Sequence, residues 1–393
     1  MKSLTALLAL LVTLSPCLCR AVEPWQQFAV WPSTDDQEMP AIYGDIVVWQ
    51  QFVAEFGDYD IYVADLNEPD DALLLVLGEG SDQMNPAIYE NIVVWQDFIV
   101  ADGGGDWDIT GADISDANEA FIFPVSGIEA NDEQSPAIAG NTVAWKDGPA
   151  GDADIYAADI TDLGNPIEFP IANFEFDQQN PAIYRNTVVW QDMYFGDSDI
   201  LAADIWQRNR PADFGVSLIE YEQTDPAVSG DVIIWQDNFS GDWDIYAADL
   251  STSLKAGFSD PNEPAEFAIA TGESSQVKPA IDGHLIVWQD DRAGNWDIFG
   301  YNLTTGRQFR ITDDRADQTN PAISGKTVVW QDNRDGNWQI YAAVLDGPEV
   351  AYCRTRVPGD VNGDCKVDFA DFALMATNWL ECHLEPAEAC PPR

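Results

Sequence analysis

The stretch "GDVNGDCKVDFADF" (359–372) gathers the densest set of metal-ligating side chains in the chain. Counted from Asp360, oxygen-bearing side chains fall at positions 1, 3, 5, 9 and 12: Asp360, Asn362, Asp364, Asp368 and Asp371. Lys366, at position 7, would add its backbone carbonyl. Hard oxygen donors at this spacing wrap Ca²⁺, so calcium is the expected cofactor. A helix is predicted to follow, because "FADFALMATNWLEC" (369–382) places Phe372, Met375, Ala376, Trp379 and Leu380 on one apolar face.

A second polar set recurs along the chain. Acids come in pairs: Asp58 with Asp60, Asp106 with Asp108, Asp152 with Asp154, Asp197 with Asp199, and Asp242 with Asp244. The pattern then becomes Asn295 with Asp297 and Asn337 with Gln339. Such pairs could hold a ring of cations or do acid–base chemistry. The structural alternative is turn capping, in which a short side chain accepts from backbone N–H groups. The change from Asp to Asn favours capping.

Gln37, Gln83, Gln134, Gln178, Gln223, Gln276 and Gln318 precede each "PA" by two or three residues. They are read as amides that bridge neighbouring backbone, with sugar hydroxyls as the other candidate partner. Trp107, Trp243, Trp296 and Trp338 would stack on sugar rings if exposed. The chain has two histidines, His284 and His383, neither beside a nucleophile, so no Ser–His–Asp arrangement is supported. No acid stands apart from the repeating pattern, and no catalytic residue is assigned. A single active site would need one unit to differ, which directs attention to "MYFGDS" (193–198) and "WQRNRPADF" (206–214).

The elements that carry these residues repeat seven times: "PAIYGDIVVWQQ", "PAIYENIVVWQD", "PAIAGNTVAWKD", "PAIYRNTVVWQD", "PAVSGDVIIWQD", "PAIDGHLIVWQD" and "PAISGKTVVWQD". Their tryptophans, Trp49, Trp95, Trp145, Trp190, Trp235, Trp288 and Trp330, lie 42 to 53 residues apart. That period, with β-branched residues and tight turns, predicts an all-β seven-bladed propeller over 22–350. Each unit reads as four strands, exemplified by "PAI", "TVVWQD" (327–332), "WQIYAAVL" (338–345) and a spacer strand such as "RQFRI" (307–311). The middle strands are apolar on both faces, so neighbouring units must cover them. The seventh unit offers no clear fourth strand, whereas "QQFAV" (26–30) precedes the first. This N-terminal strand is expected to close the ring and leave no open edge.

The consensus from Pro-Ala to Trp-Gln-Asp, then Gly-Asn-Trp-x-Ile-Tyr, resembles TolB-type propeller repeats. The resemblance covers about residues 25–350 and implies an extracytoplasmic propeller that binds proteins or lines a ligand funnel. The C-terminal loop resembles a single dockerin type I repeat, over 359–381, with Asp371 at position 12 and Cys365 where an EF-hand has Gly. It implies calcium binding, and a cohesin-like or other extracellular protein as partner of the 351–393 module.

Residues 1–21 have the form of a secretory signal peptide, with Lys2 ahead of a short apolar run, Leu4 to Leu14. Cys353, Cys365, Cys382 and Cys390 cluster at the C-terminus and read as disulfides whose pairing stays open among three schemes. Against 18 Lys and Arg stand 68 Asp and Glu, a net charge of −50. That field repels nucleic acid and anionic membranes and favours a soluble monomer. The expected product is a secreted or cell-surface binding and scaffold propeller serving extracellular polysaccharide processing, with the periplasm as another location. The alternatives are a polysaccharide lyase or glycoside hydrolase with a funnel site, and a TolB-like envelope propeller.

Overall fold

The computed structural model describes residues 25–350, except for 68–74, 78–80, 102–103, 117–119, 128–130, 194–195, 209–210, 254–265 and 348. The expected leader (1–21), the expected calcium loop (360–371) and following helix, and the four C-terminal cysteines lie outside the described residues.

The described strands form seven four-stranded antiparallel sheets, the expected blades. Blade 1 runs Gln37–Tyr43, Ile46–Val53, Asp58–Asp65 and Leu75–Leu77. In blade 7, Gln318–Ser324, Thr327–Asp332 and Gln339–Val344 are completed by the N-terminal strand Gln27–Ala29. Gln27 pairs with Ala343, Phe28 with Ala342 and Ala29 with Tyr341, so the ring closes as the sequence predicts.

The apolar core lies between blades, one cluster at each of the seven junctions. Between blades 6 and 7, Leu285, Val287 and Ile298 meet Val328, Trp330 and Ala343. The seven tryptophans of the repeat are almost wholly enclosed. Replacing such a side chain by alanine costs about 3–5 kcal/mol. A buried indole N–H also needs an acceptor. In blades 4, 6 and 7 the Asp two residues on, on the same face of the strand, provides it: Trp190 Nε1 donates to Asp192 at 3.3 Å, and Trp288 Nε1 to Asp290 and Trp330 Nε1 to Asp332 at 3.0 Å. In these three blades the "WQD" phrase is the centre of the blade together with its own hydrogen-bond closure.

Candidate functional site at the central channel

The innermost strand of each blade breaks register just before its proline, with a bulge in every first-to-second strand pairing. The residue at the break has a left-handed backbone: Met39, Asn85, Ser135, Asn180, Asp225, Lys278 and Asn320 all have φ between 48° and 55°. Asn and Asp adopt this region readily, whereas Met39 and Lys278 hold it at a cost of about 1–2 kcal/mol each. The kink brings these seven residues and the prolines after them around a central cavity of about 450 Å³.

The bulge also takes each backbone N–H out of its own ladder. The glutamine of "WQD" in the preceding blade accepts it. Met39 N donates to Gln331 Oε1 (3.1 Å), Asn85 N to Gln50 (2.9 Å), and Ser135 N to Gln96 (3.1 Å). Asp225 N donates to Gln191 (3.4 Å), Lys278 N to Gln236 (2.8 Å), and Asn320 N to Gln289 (2.8 Å). Six of the seven junctions thus carry an amide bridge. The sequence reading missed both partners. Their signal was present: the residue before "PA" is the variable position in an otherwise repeated phrase.

Blade 3 departs from the ring twice. Lys146 stands where the others have glutamine and donates to Gln134 Oε1 at 3.1 Å, so Asn180 N lacks the glutamine acceptor of its counterparts. Glu133, not the expected Gln134, occupies the buried position three residues before the proline. It is 3% exposed, and burial pushes its carboxyl up to about 8. Ser126 works against that shift by hydrogen bonding, while Asp108, Asp147 and Glu168 add to it.

The other six glutamines of this set are buried; five hold backbone, as expected, whereas Gln83 Nε2 donates to the side chains of Ser81 and Asp97, both at 3.2 Å. Gln37 Oε1 accepts Ile340 N from blade 7 (3.0 Å), and Gln318 Nε2 donates to Ala316 O (2.7 Å). Enclosed in this way, they offer nothing to a sugar.

The acid pairs belong to the sheet as much as to its loops. The second acid of a pair faces the aspartate of "WQD" across the ladder in five blades: Asp97 with Asp108, Asp147 with Asp154, Asp192 with Asp199, Asp237 with Asp244, and Asp290 with Asp297. Like charges placed directly opposite repel. In blade 6, Arg292 binds Asp290 and Arg310 binds Asp297 at 2.7 Å. In blades 2 to 4 burial, reinforced by neighbouring carboxylates, raises Asp108 and Asp154 to about 6 and Asp199 to about 7.

The asparagines of blades 6 and 7 correct the capping account. Asn295 and Asn337 donate, to the carbonyls of Asp314 and Ala316 and of Ser33 and Asp35. A carboxylate could not take that role. Among the described residues, no three His, Cys, Asp or Glu side chains are placed to hold a metal ion.

Trp107, Trp243, Trp296 and Trp338 are half-buried, not open platforms. His284 lies in a turn within reach of Val350 O (3.4 Å), and burial lowers its affinity for a proton. What remains accessible is the channel wall. Asn85 and Asn180 donate Nδ2 to Gln96 (2.8 Å) and Gln191 (2.9 Å), which leaves their Oδ1 atoms as acceptors on offer. Lys278 pairs with Asp225 at 3.0 Å. Amide and hydroxyl groups set between proline rings can bind a molecule that has both hydroxyls and C–H faces.

No protein-family model matches the sequence, and no curated protein matches it. Solved structures do. An oligogalacturonate lyase from Vibrio parahaemolyticus is 13% identical with a TM-score of 0.60, covering 83% of this chain and 95% of that one. An oligogalacturonate lyase in complex with manganese is 15% identical with a TM-score of 0.54, covering 82% and 98%. A puromycin-hydrolysing peptidase from Mycobacterium tuberculosis is 15% identical with a TM-score of 0.58 over 86% of this chain, which spans 57% of the peptidase. At these identities the likeness shows the propeller fold alone. Two TolB structures overlap at TM-scores of 0.39 and 0.44, too low to carry an argument.

Proposed function

We propose that the protein is a secreted, non-catalytic binding and scaffold propeller that takes carbohydrate at its central channel in the service of extracellular polysaccharide processing. The observation that carries this reading is the ring of x-Pro pairs. It lines the channel with Asn, Ser, Met and proline surfaces and the Asp225–Lys278 pair, while the repeated glutamines are enclosed within and between blades. A polar wall with a small number of placed donors and acceptors suits recognition. Ca²⁺ held by Asp360, Asn362, Asp364, the Lys366 carbonyl, Asp368 and Asp371 would fold the 351–393 module, since so short a segment has little core of its own. That module would dock the propeller to an extracellular protein.

A second reading, a polysaccharide lyase or glycoside hydrolase, is favoured by blade 3, where Glu133 and Lys146 break the ring. Oligogalacturonate lyases with the same fold add to it. One experiment separates the two. The full chain, with and without Ca²⁺, is incubated with a polysaccharide panel, and both retention and released oligosaccharides are measured. Retention without product is expected, weakened at least about tenfold (roughly 1.4 kcal/mol) in Asn85→Ala/Asn180→Ala/Asn320→Ala. Product release by the wild type, abolished by Glu133→Gln, would establish the enzyme reading instead.

A further inference from the structure

On the face opposite the second-to-third strand loops, six of the seven blades leave their third strand through the same small turn. The residue two beyond the strand's last Asp or Asn donates its N–H to that side chain: Asn67 to Asp65, Ser115 to Asp113, Thr161 to Asp159, Ser251 to Asp249 and Thr304 to Asn302, at 2.8–3.0 Å. Blade 4 makes the same bond, Trp206 to Asp204 at 2.8 Å. There a tryptophan replaces the small polar residue, and it is 77% exposed.

The neighbouring turn of blade 4, like that of blade 2, lacks the glycine that the other five blades carry. Gly44, Gly140, Gly230, Gly283 and Gly325 hold the left-handed position of the first hairpin, with Glu90 in blade 2. Blade 4 places Arg185 there at φ 55°, its guanidinium 5.3 Å from the Tyr184 ring. A bulky residue held in this region is a backbone cost of the kind that collects at functional sites. Two clefts flank the indole. One, of about 480 Å³, is walled by Arg185, Asn186, Thr187, Asp204 and Asp231. The other, of about 550 Å³, shares Asp204 and reaches Asp213.

We infer that Trp206 and its two clefts form a second carbohydrate site, which takes a neutral oligosaccharide with one ring stacked on the indole. The wall decides the ligand class. An apolar partner would leave Asp204, Asp213 and Asp231 buried and unpaired, whereas vicinal hydroxyls satisfy carboxylates and a guanidinium without any charge of their own. Three carboxylates against Arg185, on a chain of net charge −50, disfavour a uronate. An exposed, rigid aromatic beside fixed polar groups holds a sugar ring through its C–H face. The site is separate from the channel and lies between blades 4 and 5, since Asp231 comes from the first hairpin of blade 5, so the molecule would bind two glycan segments.

The test is calorimetry of the full chain with xylohexaose, cellohexaose and oligogalacturonate, on wild type, Trp206→Ala, Trp206→Tyr and the channel variant Asn85→Ala/Asn320→Ala. The expected result is binding of a neutral hexasaccharide that Trp206→Ala weakens at least about tenfold. Trp206→Tyr keeps it within roughly threefold, and the channel variant retains this site. Melting temperatures should stay unchanged, because the indole contributes nothing to the core. The inference is overturned by neutral binding that Trp206→Ala leaves intact, by no neutral binding at all, or by an effect confined to oligogalacturonate. A Trp206-dependent change in sedimentation would also overturn it, since the indole would then serve an interface between copies. Neutral binding lost only in the channel variant would leave the channel reading standing and remove this one.

Discussion

Glu133 is a residue whose chemistry opposes its position. Six blades place an uncharged glutamine three residues before the proline, and blade 3 places an acid there, 3% exposed. Its ordinary value of 4.5 rises to about 8, first through burial. Between these values the folded state holds a proton that the unfolded chain has released, so stability falls as pH rises through the window. Below it both states are protonated and the penalty vanishes. Above about 8 the penalty is complete. Asp108, Asp154 and Asp199 are shifted in the same direction, so Glu133 must be isolated by difference. Glu133→Gln and wild type are expected to melt together near pH 4.5. At pH 9 the variant should melt at least about 2–4 °C higher, the shift of roughly 1 kcal/mol. Equal melting temperatures at both pH values would show that the carboxyl has a partner that keeps it charged.

At the level of the strand and its loop, Arg334 shows how a blade neutralises its buried acid. Asp332 is fully buried and accepts Trp330 Nε1 (3.0 Å), Arg334 N (3.0 Å) and Arg334 Nε (2.9 Å). The guanidinium also lies 4.4 Å from the Tyr341 ring and donates to Gln27 Oε1 at 2.7 Å, tying the closing strand to the sheet. Arg334→Ala leaves an uncompensated buried charge and should cost about 3 kcal/mol in urea titrations at pH 7. Arg334→Ala/Asp332→Asn should recover more than half of that. A double variant as unstable as the single would place the loss in packing against Tyr341.

The strand scale is also where the sequence was most and least legible. Alternation around a central Trp located the middle strands, because a period of two is written in every copy; "TVVWQD" (327–332) matches the observed strand. The x-Pro kink was not visible, because one residue's φ leaves no mark on a hydrophobic pattern. Blade 3 was misread by a single residue. Glu133 and Gln134 are adjacent polar residues, and a slip of one moves a side chain to the other face of the sheet. Gln134 faces Lys146 across the strand pair, while Glu133 turns to the junction with blade 2 and Ser126. The acid pairs were recognised, but their opposition to the "WQD" aspartates depends on register, which spacing alone leaves open.

For the molecule as a whole, ring closure depends on three pairs between Gln27–Ala29 and Tyr341–Ala343. Val30 N to Ile340 O (2.8 Å) and Trp25 Nε1 to Asp346 O (2.9 Å) extend the seam. Trp25 packs against Phe309 of blade 6, with ring centroids 5.4 Å apart, so the same segment also covers the neighbouring junction. These contacts join residues more than 280 positions apart in sequence. The loop entropy of closure is therefore met at one place. Removing residues 25–31 would bare the Gln339–Val344 edge. An unpaired edge strand is a template for pairing with another chain, and a net charge of −50 opposes that at low salt. The truncated protein should therefore stay monomeric in low salt and self-associate as salt is raised, read by light scattering. Amide exchange should quicken in blade 7 and the two junctions beside it, while blades 3 and 4, across the ring, keep their protection. Uniform protection loss over all seven blades would mean that the closing strand holds the whole ring cooperatively. Unchanged exchange in blade 7 would mean that the sheet does not need its fourth strand.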